Sequence, residues 1–292
     1  AICANITIWK PTPKGAICCY AVQKICNDAL EEHGYPPIFM SFSEPGNTLA
    51  ERFVDDRRVA LMSFTGSCAI GKKVAARVAA RMGKSLLELG GNNAMIIDAS
   101  ADLRLAIPSV VFGAVGTAGQ RCTSTRRVFI HDSIYDDVVE KLVGAYGQVR
   151  IGDPLDSDTL MGPLTDESSV QRYLDAVGKA KASGGKVLCG GNRLDRPGYF
   201  VEPAIIEADN SWEIVQEETF APILYVMKFS DLDEAIAMQN GVDQGLSSAI
   251  FTNDLRHSER FLSAMGSDCG IANVNIGTSG ACLLYTSPSP RD

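Results

Sequence analysis

"RRVALMSFTGSCAIGKKVAARVAARMG", residues 57–83, decides the fold class. The run "RRVALMSF" reads as a strand and "TGS" as a tight turn. The apolar positions Ile70, Val74, Val78 and Met82 then recur every four residues, the period of one helix face, until Gly83 stops the helix. A strand that turns at once into a helix of this length belongs to a layered α/β arrangement, with parallel strands covered by helices.

The same rhythm extends both ways. Upstream, "ANITIWKP" has the β-branched alternation of a strand, and Pro13 opens a helix with Ile17, Ala21 and Ile25 on one face until Gly34. "PPIFMSF" is a short strand and "EPGN" a turn. Downstream, "SLLELGGNNAMIID" leads to a helix over residues 101–118, then strand "RRVFIHD" and a helix with Ile134, Val138, Leu142 and Tyr146 on one face. A helix near 167–183, strands "KVLCGG", "PAIIEA" and "PILYVMKF", helix "SDLDEAIAMQN", strand "LSSAIF", helix "LRHSERFLSAM" and strand "GIANVNI" complete the series. The pair Gly90-Gly91 marks a boundary, giving one domain over 1–89 and a second over 90–281. "CLLYTSPSPRD", residues 282–292, breaks the periodicity and reads as an irregular, artefactual tail.

Bulk properties narrow the partners. The 292 residues carry a net charge of −8 and no basic stripe, which excludes a nucleic-acid backbone or an anionic membrane surface and favours a small soluble ligand. No apolar run reaches the roughly 18 to 20 residues of a membrane span. The opening "AICANITIWKP" has no secretory signature, so a reducing compartment is expected. Nine scattered cysteines with no CxxC pair then read as reduced thiols, with no metal site.

Several stretches carry candidate chemistry. At Thr65-Gly66-Ser67 a strand meets a helix, so the amides and dipole there either receive a phosphate or are capped by Thr65 or Ser67. Glu88 ends an apolar strand before two glycines; it is either a general base in apolar surroundings or a solvated strand end. In "GTAGQRCTSTRR", residues 116–127, Cys122 is either a buried thiol or a thiolate favoured by nearby arginines. "EETFAP" holds Glu217 and Glu218, either functional or a charged loop. A cysteine hydrolase needs a histidine partner, but His33, His131 and His257 all read as surface residues, which favours a carboxylate-assisted cysteine.

Taken in order, "TIWKP", "FTGS", "ELGGNN", "GQRCT", "EETFAPI" and "VNIGTSGA" resemble the aldehyde dehydrogenase superfamily, most closely its antiquitin branch of aminoadipate-semialdehyde dehydrogenases. The resemblance runs over residues 1–281, and the 34 positions from Glu88 to Cys122 match the family's spacing of base and nucleophile. It implies a partial Rossmann-like cofactor domain followed by an α/β catalytic domain of aldehyde dehydrogenase type. Cys122 would attack the aldehyde and Glu88 would activate water against the thioester. Lys10 would contact the adenosine ribose, Gly66 and Ser67 the pyrophosphate, and Glu218 with Phe220 the nicotinamide ribose of NAD. Pro13 stands where many relatives carry an acid, so NADP stays open as cofactor.

Arg121 resembles the group with which the antiquitin branch holds the distal carboxylate of a semialdehyde such as aminoadipate semialdehyde, together with Ser279, Gly280 and Ala281 in "GTSGA". Arg121 is otherwise a cation that favours the thiolate or pairs with a carboxylate. The resemblance further implies lysine catabolism, a homo-oligomer (dimer or tetramer) in the full-length form, and a cytoplasmic or, with an upstream targeting segment, mitochondrial location. It places the family's oxyanion-hole asparagine upstream of residue 1. An acyl acceptor other than water, such as coenzyme A, and an inactive chain that keeps only part of the cofactor site are the alternative readings.

Overall fold

A computed structural model describes residues 5–279, and the chain forms two compact units that divide between Glu88 and Leu89. The expected tail 282–292, with Gly280 and Ala281, lies outside the described residues. Among those described, no helix is long and apolar enough to cross a membrane.

The first unit runs β1 (Thr7–Trp9), α1 (Ala16–Glu32), β2 (Phe39–Ser41), α2 (Thr48–Asp55), β3 (Leu61–Thr65), α3 (Cys68–Ala80) and β4 (Lys84–Glu88). β1 pairs with β2 and β3 with β4, both parallel, as the alternation predicts. Met62, Val74 and Val78 form its core, joined by Phe53, Val54, Phe64 and Leu87.

Two local expectations fail in this unit. The stripe on α1 is exposed, Ile17 at 86% and Ile25 at 68%. The opposite face packs instead. Cys19 is buried there, and Gln23 and Asn27 donate from their amides to the Phe39 carbonyl at 3.2 and 2.8 Å, holding β2 through polar side chains. Helix α2 follows the "EPGN" turn without a sequence signal at its start. Its first amides, those of Leu49 and Ala50, are accepted by Glu44 several residues upstream rather than by a side chain at the helix boundary.

The second unit runs β5 (Asn93–Ile97), α4 (Leu103–Val115), β6 (Thr125–His131), α5 (Tyr135–Tyr146), α6 (Glu167–Ala182), β7 (Lys186–Cys189), β8 (Ala204–Glu207), α7 (Glu213–Gln216), β9 (Ile223–Phe229), α8 (Leu232–Asn240), β10 (Ser247–Phe251), α9 (Leu255–Leu262) and β11 (Ile271–Val274). Its strands make one sheet in the order β11-β10-β5-β6-β9-β8-β7, parallel except for β7 at one edge. The chain steps from β5 to β6 in one direction and from β9 through β10 to β11 in the other. Right-handed crossovers therefore place α4 and α8 on opposite faces. Strands covered on both faces must be apolar throughout. Accordingly every residue of β5 and β10 is buried, with Ile96, Ile97, Phe129, Ile130, Val226 and Phe251 in the core.

Candidate active site

Because β5, β6 and β9 are adjacent and parallel, the residues just before each strand gather at one edge of the sheet. Gly90 and Gly91 precede β5, Cys122 precedes β6, and Glu218 to Phe220 precede β9. Cys122 is partly buried. Buried Asn93 fixes its loop by donating from Nδ2 to the Cys122 carbonyl at 2.7 Å and to the Ser124 carbonyl at 2.8 Å. From the other side Thr278 donates to the Thr123 carbonyl at 2.8 Å and shares a hydrogen bond with the Thr125 hydroxyl at 2.9 Å.

The two arginines after the cysteine diverge, since neighbours on a strand point to opposite faces. Arg127 is fully buried, and its guanidinium donates to carbonyls of Asn92, Met238 and Gln239 and to the Asn210 side chain. Burial without an acidic partner pushes it down to about 10. Arg126 turns toward the candidate site. Its side chain is 3% exposed and pairs with Glu218 at 3.1 Å, and it also donates to the carbonyls of Gly91, Gly119, Arg121 and Thr219. The Phe220 ring lies 5.3 Å from it. Burial lowers its pKa, while Glu218 and then Cys122 act in the opposite sense by favouring the cation.

Glycines make this closeness sterically possible. A Cβ on Gly90 would stand 2.0 Å from Glu218 Oε2, and one on Gly91 would stand 2.6 Å from the Cys122 carbonyl oxygen. The Gly91 amide donates to Glu218 Oε1 at 3.2 Å. Ahead of the cysteine, the helix expected over 101–118 ends at Val115. Thr117, Ala118 and Gly119 then adopt φ of 54°, 52° and 66°, three successive left-handed residues. For threonine and alanine this conformation carries strain of order 1–3 kcal/mol each. The turn brings Gly119 against the Ala221 carbonyl, where a Cβ would stand at 2.3 Å.

Arg121 lies on the Phe112 ring at 4.8 Å and donates to the Phe112 carbonyl at 3.1 Å. Its Nε and the Ser279 hydroxyl are buried polar atoms without a hydrogen-bond partner. Buried donors of this kind are costly unless a ligand completes them.

In the first unit, Ser67 caps α3 by accepting from the Ile70 amide, and the Gly66 amide donates to the Glu88 carbonyl at 3.0 Å. Gly66 and the backbone of Glu88 thus lie together where β3 and β4 end, Thr65 opposite Glu88. Lys10 follows β1, and its charge helps hold the Glu44 carboxyl below the usual range, after the bonds from Leu49 and Ala50. The first turn of α3 offers the amide donors that a pyrophosphate requires. In the second unit Glu218 keeps 17% of its side chain exposed, so its carboxylate stays reachable by a ribose. Each unit, taken by itself, thus carries groups of the kind a dinucleotide requires: amide donors at the start of α3 in the first, an accessible carboxylate in the second.

The aldehyde dehydrogenase family profile matches residues 1–284. The chain belongs to the aldehyde dehydrogenase family. The alpha-aminoadipic semialdehyde dehydrogenase of Bos taurus is 51% identical over 281 residues, covering 96% of this chain and 52% of that protein. The chain spans about half the length of the curated relatives it matches. Among solved structures, betaine aldehyde dehydrogenase of Staphylococcus aureus in complex with NAD+ aligns with a TM-score of 0.82 at 31% identity, over 87% of this chain and 51% of that one. Glyceraldehyde-3-phosphate dehydrogenase of Methanocaldococcus jannaschii, complexed with NADP, aligns with a TM-score of 0.88 at 30% identity, over 95% and 59%.

Within this member of the aldehyde dehydrogenase family, the opposite edge of the second sheet departs from the sequence reading of the histidines. His257 is not purely a surface residue. Its Nδ1 stands 3.2 Å from Asp98, a carboxylate only 4% exposed that also accepts from Ser100 and Thr252 at 2.7 Å. Asn93 stands in the motif "ELGGNN" without a role given to it, and Arg126 lies outside the quoted family motifs; the two fasten the loops bearing Cys122 and Glu218. The available signal was the adjacent pair "RR" at the start of a buried strand, where a charge must find partners.

Proposed function

We propose that this chain carries the nucleophile and cofactor contacts of an NAD-dependent dehydrogenase that oxidises a small aldehyde bearing a distal carboxylate, such as aminoadipate semialdehyde, to its acid. The observation that carries the reading is the fastening of the Cys122 loop to the Glu218 loop by one buried guanidinium. Family membership supplies the chemistry those loops perform.

Cys122, as thiolate, attacks the aldehyde carbon and forms a C–S bond, giving a thiohemiacetal oxyanion. Collapse of the oxyanion expels hydride and leaves a thioester; a bound nicotinamide supplies the hydride acceptor. Glu88 takes a proton from water, whose oxygen attacks the thioester carbon. The C–S bond breaks, the acid leaves and the thiolate is restored. Gly66, Ser67 and Lys10 hold the adenosine end of the dinucleotide, and Glu218 with Phe220 holds the nicotinamide ribose. Arg121 and Ser279, with their unpartnered donors, take the distal carboxylate of the substrate.

NADH formation by the full-length chain, measured with aminoadipate semialdehyde, a simple aliphatic aldehyde and betaine aldehyde, tests this reading. The carboxylate-bearing aldehyde is expected to show a kcat/KM at least about tenfold above the others, with free acid as product. Equal values for all three would remove the carboxylate contact, and acyl-coenzyme A as product would remove the role given to Glu88.

A further inference from the structure

A buried guanidinium is costly to desolvate and survives only when acceptors complete it. Around Arg126 every acceptor lies on one of the three loops at this edge of the sheet: Gly91 before β5, Gly119 and Arg121 before Cys122, and Glu218 and Thr219 beside Phe220. Glu218 has two fixed donors, Arg126 at 3.1 Å and the Gly91 amide at 3.2 Å. Both fall on Oε1, while Oε2 stands 2.0 Å from where a Cβ on Gly90 would lie. The carboxylate is thereby held with one oxygen engaged inside the protein.

We propose that Arg126 is a positioning residue for the cofactor. It holds Glu218 in the orientation that leaves Oε2 for the nicotinamide ribose, and it ties that loop to the Cys122 loop, so that ribose and nucleophile are set in register by one side chain. This rests on the assignment of Glu218 to the ribose. Arg127, adjacent in sequence, has no such part, because it bonds on the other face of the sheet.

A double-mutant cycle in the full-length enzyme tests the inference, pairing Arg126→Lys with Glu218→Gln and reading KM for NAD and kcat separately. Lysine keeps the charge but not the fork of donors. Arg126→Lys is expected to raise KM for NAD about tenfold with kcat changed less than about threefold, and to add less than about threefold in the Glu218→Gln background. Effects on KM that multiply, or a fall in kcat with KM unmoved, would overturn it. Arg126→Gln, which keeps an amide donor in the same space, is measured alongside and should move KM in the same direction. Thermal unfolding of each variant identifies the folded ones. If Glu218→Gln leaves KM for NAD unchanged, the ribose assignment falls and this inference with it. If Glu218→Gln raises KM and neither Arg126 variant does, this inference alone falls.

Discussion

At the amino edge of the seven-stranded sheet the loops approach so closely that Gly90, Gly91 and Gly119 leave no room for a Cβ, and a left-handed turn and a buried guanidinium lock them together. At the carboxyl edge a cavity of about 360 Å³ lies open between Asp98, Ser100, His131, Asp231, Asp254 and His257. Parallel α/β sheets ordinarily bind ligands at their carboxyl edge. Here that edge employs its acids structurally: Asp231 caps α8, Asp254 caps α9 and Asp98 gathers Ser100, Thr252 and His257. An opening locates space, whereas strain and forced proximity mark where the chain has been held to a geometry it would not otherwise take.

Gly90→Ala breaks the contrast at its tightest point. The added methyl would meet the Glu218 carboxylate, so the ion pair with Arg126 must shift. A loss of about 1–3 kcal/mol in unfolding free energy is expected, with KM for NAD rising about tenfold. Chemical denaturation and steady-state kinetics check both numbers, and an unaltered KM would show that the carboxylate has freedom the geometry denies it.

Asp98→Asn sharpens the contrast from the other side, with a smaller effect. Burial raises the Asp98 pKa, but the bonds from Ser100, Thr252 and His257 outweigh it and leave it below the ordinary carboxylate value. A lowered native value means the stabilisation is present above the unfolded carboxylate pKa, near 3.9, and is lost as pH falls through the native one. The asparagine variant should therefore be less stable by about 1–2 kcal/mol at neutral pH, with the difference shrinking in acid, while kcat/KM stays within about twofold. A large loss of activity would place chemistry at the carboxyl edge.

Much of the fold was legible because long apolar runs have only one place to go. The stretches "AMII", "RRVFI", "ILYVM" and "SSAIF" are buried on both faces, as a covered parallel sheet requires. Helix α1 was misread in orientation because Gln23 and Asn27, polar by type, do the packing against β2. Helix α2 gave no signal because its cap sits upstream at Glu44. The left-handed turn was invisible for a plainer reason: Thr117 and Ala118 are residues that avoid positive φ, and the close approach of Gly119 to the Ala221 carbonyl is a tertiary contact.

The candidate site was legible as an ordered set of motifs, which named Cys122 and Glu218 but not what joins them. Arg126 and Arg127 look equivalent in "TRR". The alternation of β6 separates them, and its phase depends on where the strand begins, at Thr125. The sequence also offers Arg121 as a cation beside the thiolate. Arg126 interacts electrostatically with Cys122, and Arg121 lies on Phe112.

The central claim is that Cys122 becomes acylated during aldehyde oxidation. Mass spectrometry of the full-length Glu88→Gln variant, quenched in acid after mixing with aldehyde and NAD, tests it most directly, since without the base the thioester should accumulate. The account predicts one acyl group per chain, mapped to the peptide containing Cys122 and absent from Cys122→Ser. An acyl group on another cysteine, or undiminished NADH formation by Cys122→Ser, would contradict it.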